Sequence, residues 1–421
     1  MPQPSPTPGR TGGSAFSFLT QRNGWLLSFL LASHLVGLGQ ARPTQPSRAA
    51  RTARPGELAV SLAQPARLAP ATGRTTVQHA KGFRITYVGN YKVITIQSPF
   101  EPKATPVRYL LVPRGAARPA GYPDAQVIAT PIRSLVGLSS MHVALADFLG
   151  ADEVLVGVGS FKYVSATRVR QRIAAGQVYE VGQGKELNNE LLVAHHPDLV
   201  MTTGWPGEGV DYFQTLRAAG IPVLINSEWV ETTPLARAEW VKVLAALLNK
   251  EDVVNEKFDA VAREYQRLAA LAKKATRRPS VVVGLPFKDV WYVPDADSYL
   301  AQFLRDAGST YHWNATKAPS GSLALSFEAV VPVALGADFW LQTGSLTSKA
   351  ALLAQDARYA AFAPVKAGRV FNNNLRTNAQ GSNDYWESGT MRPDLILADL
   401  LHILHPELLP TWTLRYYQSL R

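Results

Sequence analysis

The sequence predicts an α/β protein with two Rossmann-like lobes, joined by a long backbone helix and separated by a ligand cleft. Three observations lead there. Short β-branched runs alternate with helical segments in both halves of the chain. A long amphipathic stripe lies between the halves. Phrases from the first half return in the second in the same order.

The chain has 421 residues, of which 46% are apolar and 18% charged. That is enough for two or three packed domains. Residues 1–24 are rich in Pro, Ser, Gly and Thr, and Trp25–Gly39 forms an apolar run too short to span a bilayer. With small residues at Gly39 and Ala41, the pattern predicts a signal peptide over 1–41. Residues 42–81, full of Pro, Ala, Arg and Thr, show no sustained apolar period and read as a disordered leader.

The formal charge of +11 invites a nucleic-acid reading. Residues 1–81 carry +8 of it, however, and the rest holds 34 basic against 31 acidic side chains. A nucleic-acid binder concentrates its cations on a folded face, so no nucleic-acid partner is expected. No cysteine is present, which removes disulfides, thiolate metal sites and a thiol to acylate. The expectation is a chain without a lipid anchor.

Residues 82–232 read as the N-terminal lobe. Phe83–Ile96 alternates as strand and Val107–Val112 can pair with it, giving a β-hairpin extension. Val154–Val158, Leu199–Thr202 and Val223–Ile225 are the next strands. Residues 233–277 form the inter-lobe helical segment. Trp240, Val243, Leu244, Leu247 and Leu248 make one apolar stripe, and Val254, Phe258, Val261, Tyr265 and Leu268 continue it. Residues 278–421 read as the C-terminal lobe, opening on Val281–Leu285. Leu145–Leu149 (LADFL) returns as Leu300–Leu304 (LAQFL), and Asp198–Gly204 (DLVMTTG) returns as Asp338–Gly344 (DFWLQTG). Glu190 and Glu328 precede the latter pair. Two such lobes place a ligand beyond the carboxyl ends of their strands.

Ile132–Ser140 followed by Leu145–Val158 resembles the opening of periplasmic binding proteins with a helical backbone, the class III family. These serve ABC importers of iron-siderophores, haem and vitamin B12. Val181–Gly184, Asn188–Glu190 and Pro197–Val200 match the family's next phrase, and Ser326–Glu328 with Ala337-Asp338 match the phrase in its second lobe. The resemblance spans about residues 127–405. It implies an extracytoplasmic protein that captures an iron chelate or corrinoid and delivers it to an ABC permease and ATPase complex in the inner membrane. It also implies that Glu190 and Glu328, exposed and far apart on one face, dock onto permease arginines. Separated carboxylates set orientation and on-rate; on the residues alone the preferred reading of each is an ordinary helix-N-terminal acid.

Aromatics and cations follow several expected strands. Lys162-Tyr163, Trp205 and Trp229 do so in the first lobe. Phe287, Lys288, Trp291 and Tyr292 do so in the second, with Arg376 and Tyr385-Trp386 in a later loop rich in Asn and Gly. Flat walls with a few polar groups suit a large, partly aromatic ligand; core packing is the alternative for each aromatic. Ser140 and His142 sit at the first strand-to-helix turn, where His142 reads as a polar residue at the cleft edge. A bare zinc or manganese site would need several converging ligands, and no metal site is assigned.

GxSxG, Walker A and HExxH phrases are missing. No catalytic residue and no cofactor is therefore assigned. The alternatives are an exported hydrolase using Asp384 and Glu387 as an acid–base pair, or a transport protein for bare zinc or manganese.

Overall fold

The computed structural model describes residues 73–97, 104–204, 213–318 and 321–421. The expected signal peptide, the leader up to residue 72 and Trp205 lie outside the described residues.

Strands β1 (Phe83–Val88), β2 (Tyr91–Ile96) and β3 (Val107–Pro113) are antiparallel neighbours, and β4 (Gln126–Thr130) pairs parallel with β3. This four-stranded extension packs Phe83 against Trp240, with ring centroids 4.9 Å apart.

The first lobe follows. It comprises β5 (Leu135–Gly137), α1 (Ser140–Phe148), β6 (Leu155–Val158), α2 (Thr167–Ala174), β7 (Tyr179–Glu180), α3 (Asn189–His195), β8 (Leu199–Thr202), α4 (Gln214–Ala218) and β9 (Val223–Ile225). Its strands lie in the order β7-β6-β5-β8-β9 and all pair in parallel. The extension is stitched to the β9 edge by side chains. Val223 N–H donates to Gln126 Oε1 at 3.1 Å, and Ile225 N–H to the Tyr109 hydroxyl at 3.0 Å.

Helices α5 (Pro234–Glu239), α6 (Val241–Leu248) and α7 (Glu251–Ala272) connect the lobes. The expected stripe is buried throughout, but it is not one rod. Asn249 takes φ +55° and ends α6 in the left-handed region. The continuous part is α7, whose 22 residues reach about 33 Å. Val254, Phe258, Val261, Tyr265 and Leu268 bury one face of it.

The second lobe comprises β10 (Ser280–Val283), β11 (Pro286–Phe287), β12 (Val290–Pro294), α8 (Tyr299–Asp306), β13 (Thr310–Tyr311), β14 (Ser322–Leu325), α9 (Phe327–Gly336), β15 (Phe339–Leu341), α10 (Lys349–Gln355), α11 (Ala363–Lys366), β16 (Val370–Asn372), α12 (Ser388–Met391), α13 (Pro393–Leu404) and β17 (Gln418–Ser419). Its main sheet runs β13-β10-β15-β16-β17, parallel except for β17. A separate antiparallel sheet, β11-β12-β14, sits beside it, and α13 packs along α7.

The echoed phrases occupy matching places. The LADFL and LAQFL phrases run through α1 and α8, while Asp198 and Asp338 stand just before β8 and β15. Asp198 N–H donates to Ser134 Oγ at 2.9 Å, and Asp338 N–H donates to Ser280 Oγ at 3.0 Å. Each aspartate also pairs with an arginine, Arg114 and Arg277 respectively.

Residues 75–82, assigned to the leader except for Gly82, are held in place instead. Gln78, His79 and Ala80 donate their N–H groups to the buried Glu239 carboxylate at 2.9, 2.6 and 2.7 Å. Lys81 and Gly82 donate to buried Glu231 at 3.0 and 2.7 Å. Lys242 Nζ completes the clamp, 2.8 Å from Glu239. Carboxylates more than 140 residues away hold the backbone of the strip, while Val77 and Ala80 pack against the core.

Candidate functional site

In open α/β sheets a ligand lies where the strand order reverses, outside the carboxyl ends. In the first lobe that point falls between β5 and β8; in the second it falls between β10 and β15.

Beyond the first lobe's strands, the half-buried Ser139, Ser140, Ser160, Tyr163 and Gln183 surround a small pocket floored by Gly137, Gly159 and Val158. Ser139 caps α1 by accepting from Met141 N–H at 3.2 Å. Ser160 accepts from Lys162 N–H at 3.4 Å. A Cβ on Gly159 would lie 2.7 Å from Gln183 and 2.9 Å from the Leu138 carbonyl, so only glycine lets these loops meet.

His142 does not stand at the cleft edge. It is fully buried, and Ser139 N–H donates to its Nδ1 at 3.2 Å. Burial pushes its pKa down to about 3. It belongs to the α1 capping box, a turn role that hides the ring.

Lys162 and Tyr163 are half-buried, with the Lys162 ammonium 5.5 Å from the Tyr163 ring centroid. Trp229 is half-buried, and its Nε1–H donates to the Gly204 carbonyl at 2.8 Å, which ties the β8 and β9 loops. Lys288 is exposed at φ +54° on the tip between β11 and β12, over the exposed Phe287 ring.

Trp291 is the clear correction in the second lobe. It is fully buried, donates Nε1–H to the Val283 carbonyl at 2.9 Å, and packs with Trp340, Phe327 and Tyr359. A residue inside β12 with its face on the sheet is core. Arg376 is exposed but committed, 2.8 Å from Asp384 and over the Tyr416 ring. Buried Tyr385 and half-buried Trp386 line a second small pocket with Arg237, Tyr299, Pro234 and Thr390. Arg237 pairs with Glu228 at 3.0 Å and stacks 4.5 Å over Tyr299.

Two features escaped the sequence reading. Gln342 closes β15 at φ +57°, a strained backbone for a non-glycine residue, and donates Nε2–H to the Tyr417 hydroxyl at 2.9 Å. Thr343 beside it is fully buried. Both belong to the echoed DFWLQTG phrase, and that echo was the available signal. The second feature is a strap over 376–391. Asn378 Nδ2–H donates to the Lys162 and Val164 carbonyls at 3.0 and 3.2 Å. The buried Glu387 carboxylate accepts from Ser165 and Ala166 N–H at 2.6 and 2.7 Å. The loop that follows β16 thus reaches the loop that follows β6, bringing the carboxyl ends of the two sheets together.

Asp384 and Glu387 are near one another, and burial, outweighing the two amides, pushes Glu387 up to about 8. Both are nonetheless engaged within the protein. Asp384 binds Arg376 and Ser388, whose Oγ–H donates at 2.7 Å, while Glu387 binds the two amides. Neither carboxylate is free to serve as an acid–base pair. Among the described residues no three His, Asp or Glu side chains come together to hold a metal ion.

Glu190 and Glu328 are both exposed and sit at the same position of their helices. Asn188 caps α3 by accepting from Leu191 N–H at 2.9 Å, and Ser326 caps α9 by accepting from Ala329 N–H at 3.3 Å. Each glutamate lies in the first turn, where a negative charge complements the helix dipole.

The family pattern for periplasmic binding proteins matches residues 135–373, more than half of the chain. The chain is 27% identical over 293 residues to an uncharacterised lipoprotein of Methanocaldococcus jannaschii, covering 67% of each. That relative's name stands against the expectation of a chain without a lipid anchor, which rests on the missing cysteine alone. Among solved structures, a molybdate-binding protein of Haemophilus influenzae superposes with TM-score 0.53 at 19% identity, covering 68% of this chain and 90% of that one. A periplasmic heme-binding protein of Roseiflexus superposes with TM-score 0.51 at 21% identity, covering 66% and 99%. These likenesses concern the fold. The chain belongs to the periplasmic binding protein family, whose members bind solutes outside the cytoplasm and are not enzymes.

Proposed function

We propose that this periplasmic binding protein captures an iron chelate of the siderophore type, or a corrinoid, between its lobes and delivers it to an ABC permease. The observation that carries this is the convergence of strand ends: the 160–166 loop of one sheet meets the 376–391 strap of the other. Tyr163 and Trp386 on those loops, and Trp229 on the loop after β9, are half-buried and offer flat apolar walls. Lys162 and Lys288 supply cations for an anionic chelate. Ser140 adds a hydroxyl in the first lobe's pocket. Glu190 and Glu328, matched in helix position and exposed, are the docking groups for a partner with repeated cationic sites.

A second reading is favoured by one feature. The pocket of Ser139, Ser140, Ser160 and Gln183 is hydroxyl- and amide-lined, which suits a small oxyanion such as the molybdate bound by the Haemophilus protein.

A thermal-shift screen separates these readings. The probes are a ferric hydroxamate, ferric citrate, haem, cobalamin, molybdate, zinc and manganese. A ligand at 100 times its Kd stabilises the fold by about 2.7 kcal/mol. The expected result is a saturable shift with one chelate. A shift with molybdate alone assigns the oxyanion reading, and one with zinc or manganese alone assigns bare-metal transport. No shift with any probe overturns the transport ligand class.

A further inference from the structure

Arg237 carries a buried charge that the protein answers only in part. It lies on α5, at the start of the inter-lobe segment, and its side chain is 14% exposed. A guanidinium has N–H donors on all three nitrogens. Here Nη2–H donates to Glu228 Oε2 at 3.0 Å, and one face stacks on the Tyr299 ring. The Nε–H is shut off from water, and among the described residues no acceptor meets it. A buried donor left unmet is costly, the more so on a charged group.

Arg237 lines the pocket at the joint between α5 and the second lobe. The space there is about 280 Å³, part of it open to solvent. Pockets for drug-sized ligands run from roughly 300 to 1,000 Å³, so the occupant is small. Phe303 and Ile396 are buried in its wall, and Trp386 is half-buried. The other polar groups are committed. Thr390 Oγ1–H donates to the Trp386 carbonyl at 3.3 Å, and the Tyr385 hydroxyl accepts from Gln342 Nε2–H at 3.4 Å. What remains for recognition is one cationic donor set against aromatic and aliphatic walls. The pocket shares no lining residue with the hydroxyl-rich pocket of the first lobe.

We propose that this joint pocket binds a small carboxylate with a flat or branched apolar body, its carboxylate seated on Arg237. The edge of a guanidinium takes both oxygens of a carboxylate in parallel bonds. The apolar body then covers Phe303 and Ile396. A tetrahedral oxyanion fits poorly, since its remaining oxygens would face those side chains without partners. Glu228 is the internal stand-in, compensating the guanidinium when no ligand is present, because a lone buried charge is strongly unfavourable. Ligand and Glu228 compete for one cation, which keeps affinity modest. Two sources supply this chemistry: a free acid, or one carboxylate arm of a chelate held between the lobes. In the second case the inference rests on the transport reading proposed above.

The test titrates the full chain with sodium benzoate, followed by tryptophan fluorescence and by calorimetry. Benzamide, of the same shape but neutral, is the control. Benzoate should saturate at one per chain, with benzamide at least roughly tenfold weaker. Arg237→Gln should raise the benzoate Kd at least roughly tenfold. Glu228→Gln frees the guanidinium and should lower it by roughly threefold or more, a gain that a damaged fold cannot produce.

Ferric citrate separates the sources. If it displaces benzoate, the pocket takes a chelate arm; if benzoate stays, the pocket takes a free acid. Should no chelate bind in the thermal-shift screen while benzoate does, the transport ligand fails and this site stands. The proposal is overturned by the lack of saturable benzoate binding, by equal binding of benzamide, or by a benzoate Kd in Glu228→Gln that is unchanged or higher.

Discussion

At the strand ends of the first lobe, Ser139, Ser140, Ser160 and Tyr163 stand half-open around a small pocket. At those of the second, Gln342, Asn372, Asn374, Tyr385 and Tyr417 are buried and hydrogen-bonded within the lobe. The frames beneath are alike, down to the Asp-to-Ser bond under each sheet. The difference lies above the sheets. A buried, satisfied polar network rigidifies its surroundings, so the second lobe is the anvil. Half-open hydroxyls and rings retain their capacity to bind, so the first lobe offers the adaptable surface. The 376–391 strap carries the rigidity of one lobe across to the other.

That contrast breaks first at Trp291. Removing its fully buried indole, with the carbonyl bond to Val283, lowers unfolding free energy by about 3–5 kcal/mol in Trp291→Ala. Urea unfolding measures it. A cost near that of an exposed site would mean the second lobe is not the rigid partner.

The next effect is one of pH. Glu387 has its pKa raised by burial from 4.5 to about 8, so the folded state keeps a proton that the unfolded state has released. The contribution of Glu387 is therefore fully present below about pH 4.5 and is lost as pH rises through 8, by up to about 5 kcal/mol. Glu387→Gln flattens that dependence between pH 5 and pH 9. A wild-type melting temperature indifferent to pH over this range would remove the titrating latch. His142, pushed down to about 3, acts in the opposite sense: as pH falls below about 6.5, the unfolded state gains the proton first.

Asn378→Ala sharpens the role of the strap. It removes two bonds to the Lys162 and Val164 carbonyls and costs about 1–2 kcal/mol. Amide exchange at Ser165 and Ala166 accelerates in this variant, and unchanged exchange there would deny the strap its reach. The smallest effect on stability is expected at Tyr163, half-buried and lining the first lobe's pocket. Tyr163→Ala changes stability by less than about 1 kcal/mol, and its loss shows in ligand binding instead.

Much of this was legible in the chain. Val154–Val158, Leu199–Thr202 and Val223–Ile225 read as strands because parallel strands buried on both faces are short apolar runs, and they fold as β6, β8 and β9. The ordered echoes marked two like lobes because they fall at the same turns of each. The break at Asn249 was hidden, since an apolar stripe continues across it. Trp291 and His142 were misread for one reason: nearness to a strand end does not say whether a side chain points along the sheet or under it. The clamp on residues 75–82 and the strap to Ser165 had no local signature, because backbone amides held by distant carboxylates leave the held sequence unmarked.

The most direct test of a solute site built from an adaptable lobe and a rigid one is equilibrium titration of the full chain. Tryptophan fluorescence follows the binding of a ferric hydroxamate, haem and cobalamin to the wild type, Tyr163→Ala and Trp291→Phe. One chelate should bind saturably with unit stoichiometry, and its Kd should rise at least roughly tenfold in Tyr163→Ala while holding in Trp291→Phe. Saturable binding that Tyr163→Ala leaves untouched, or no saturable binding at all, would contradict it.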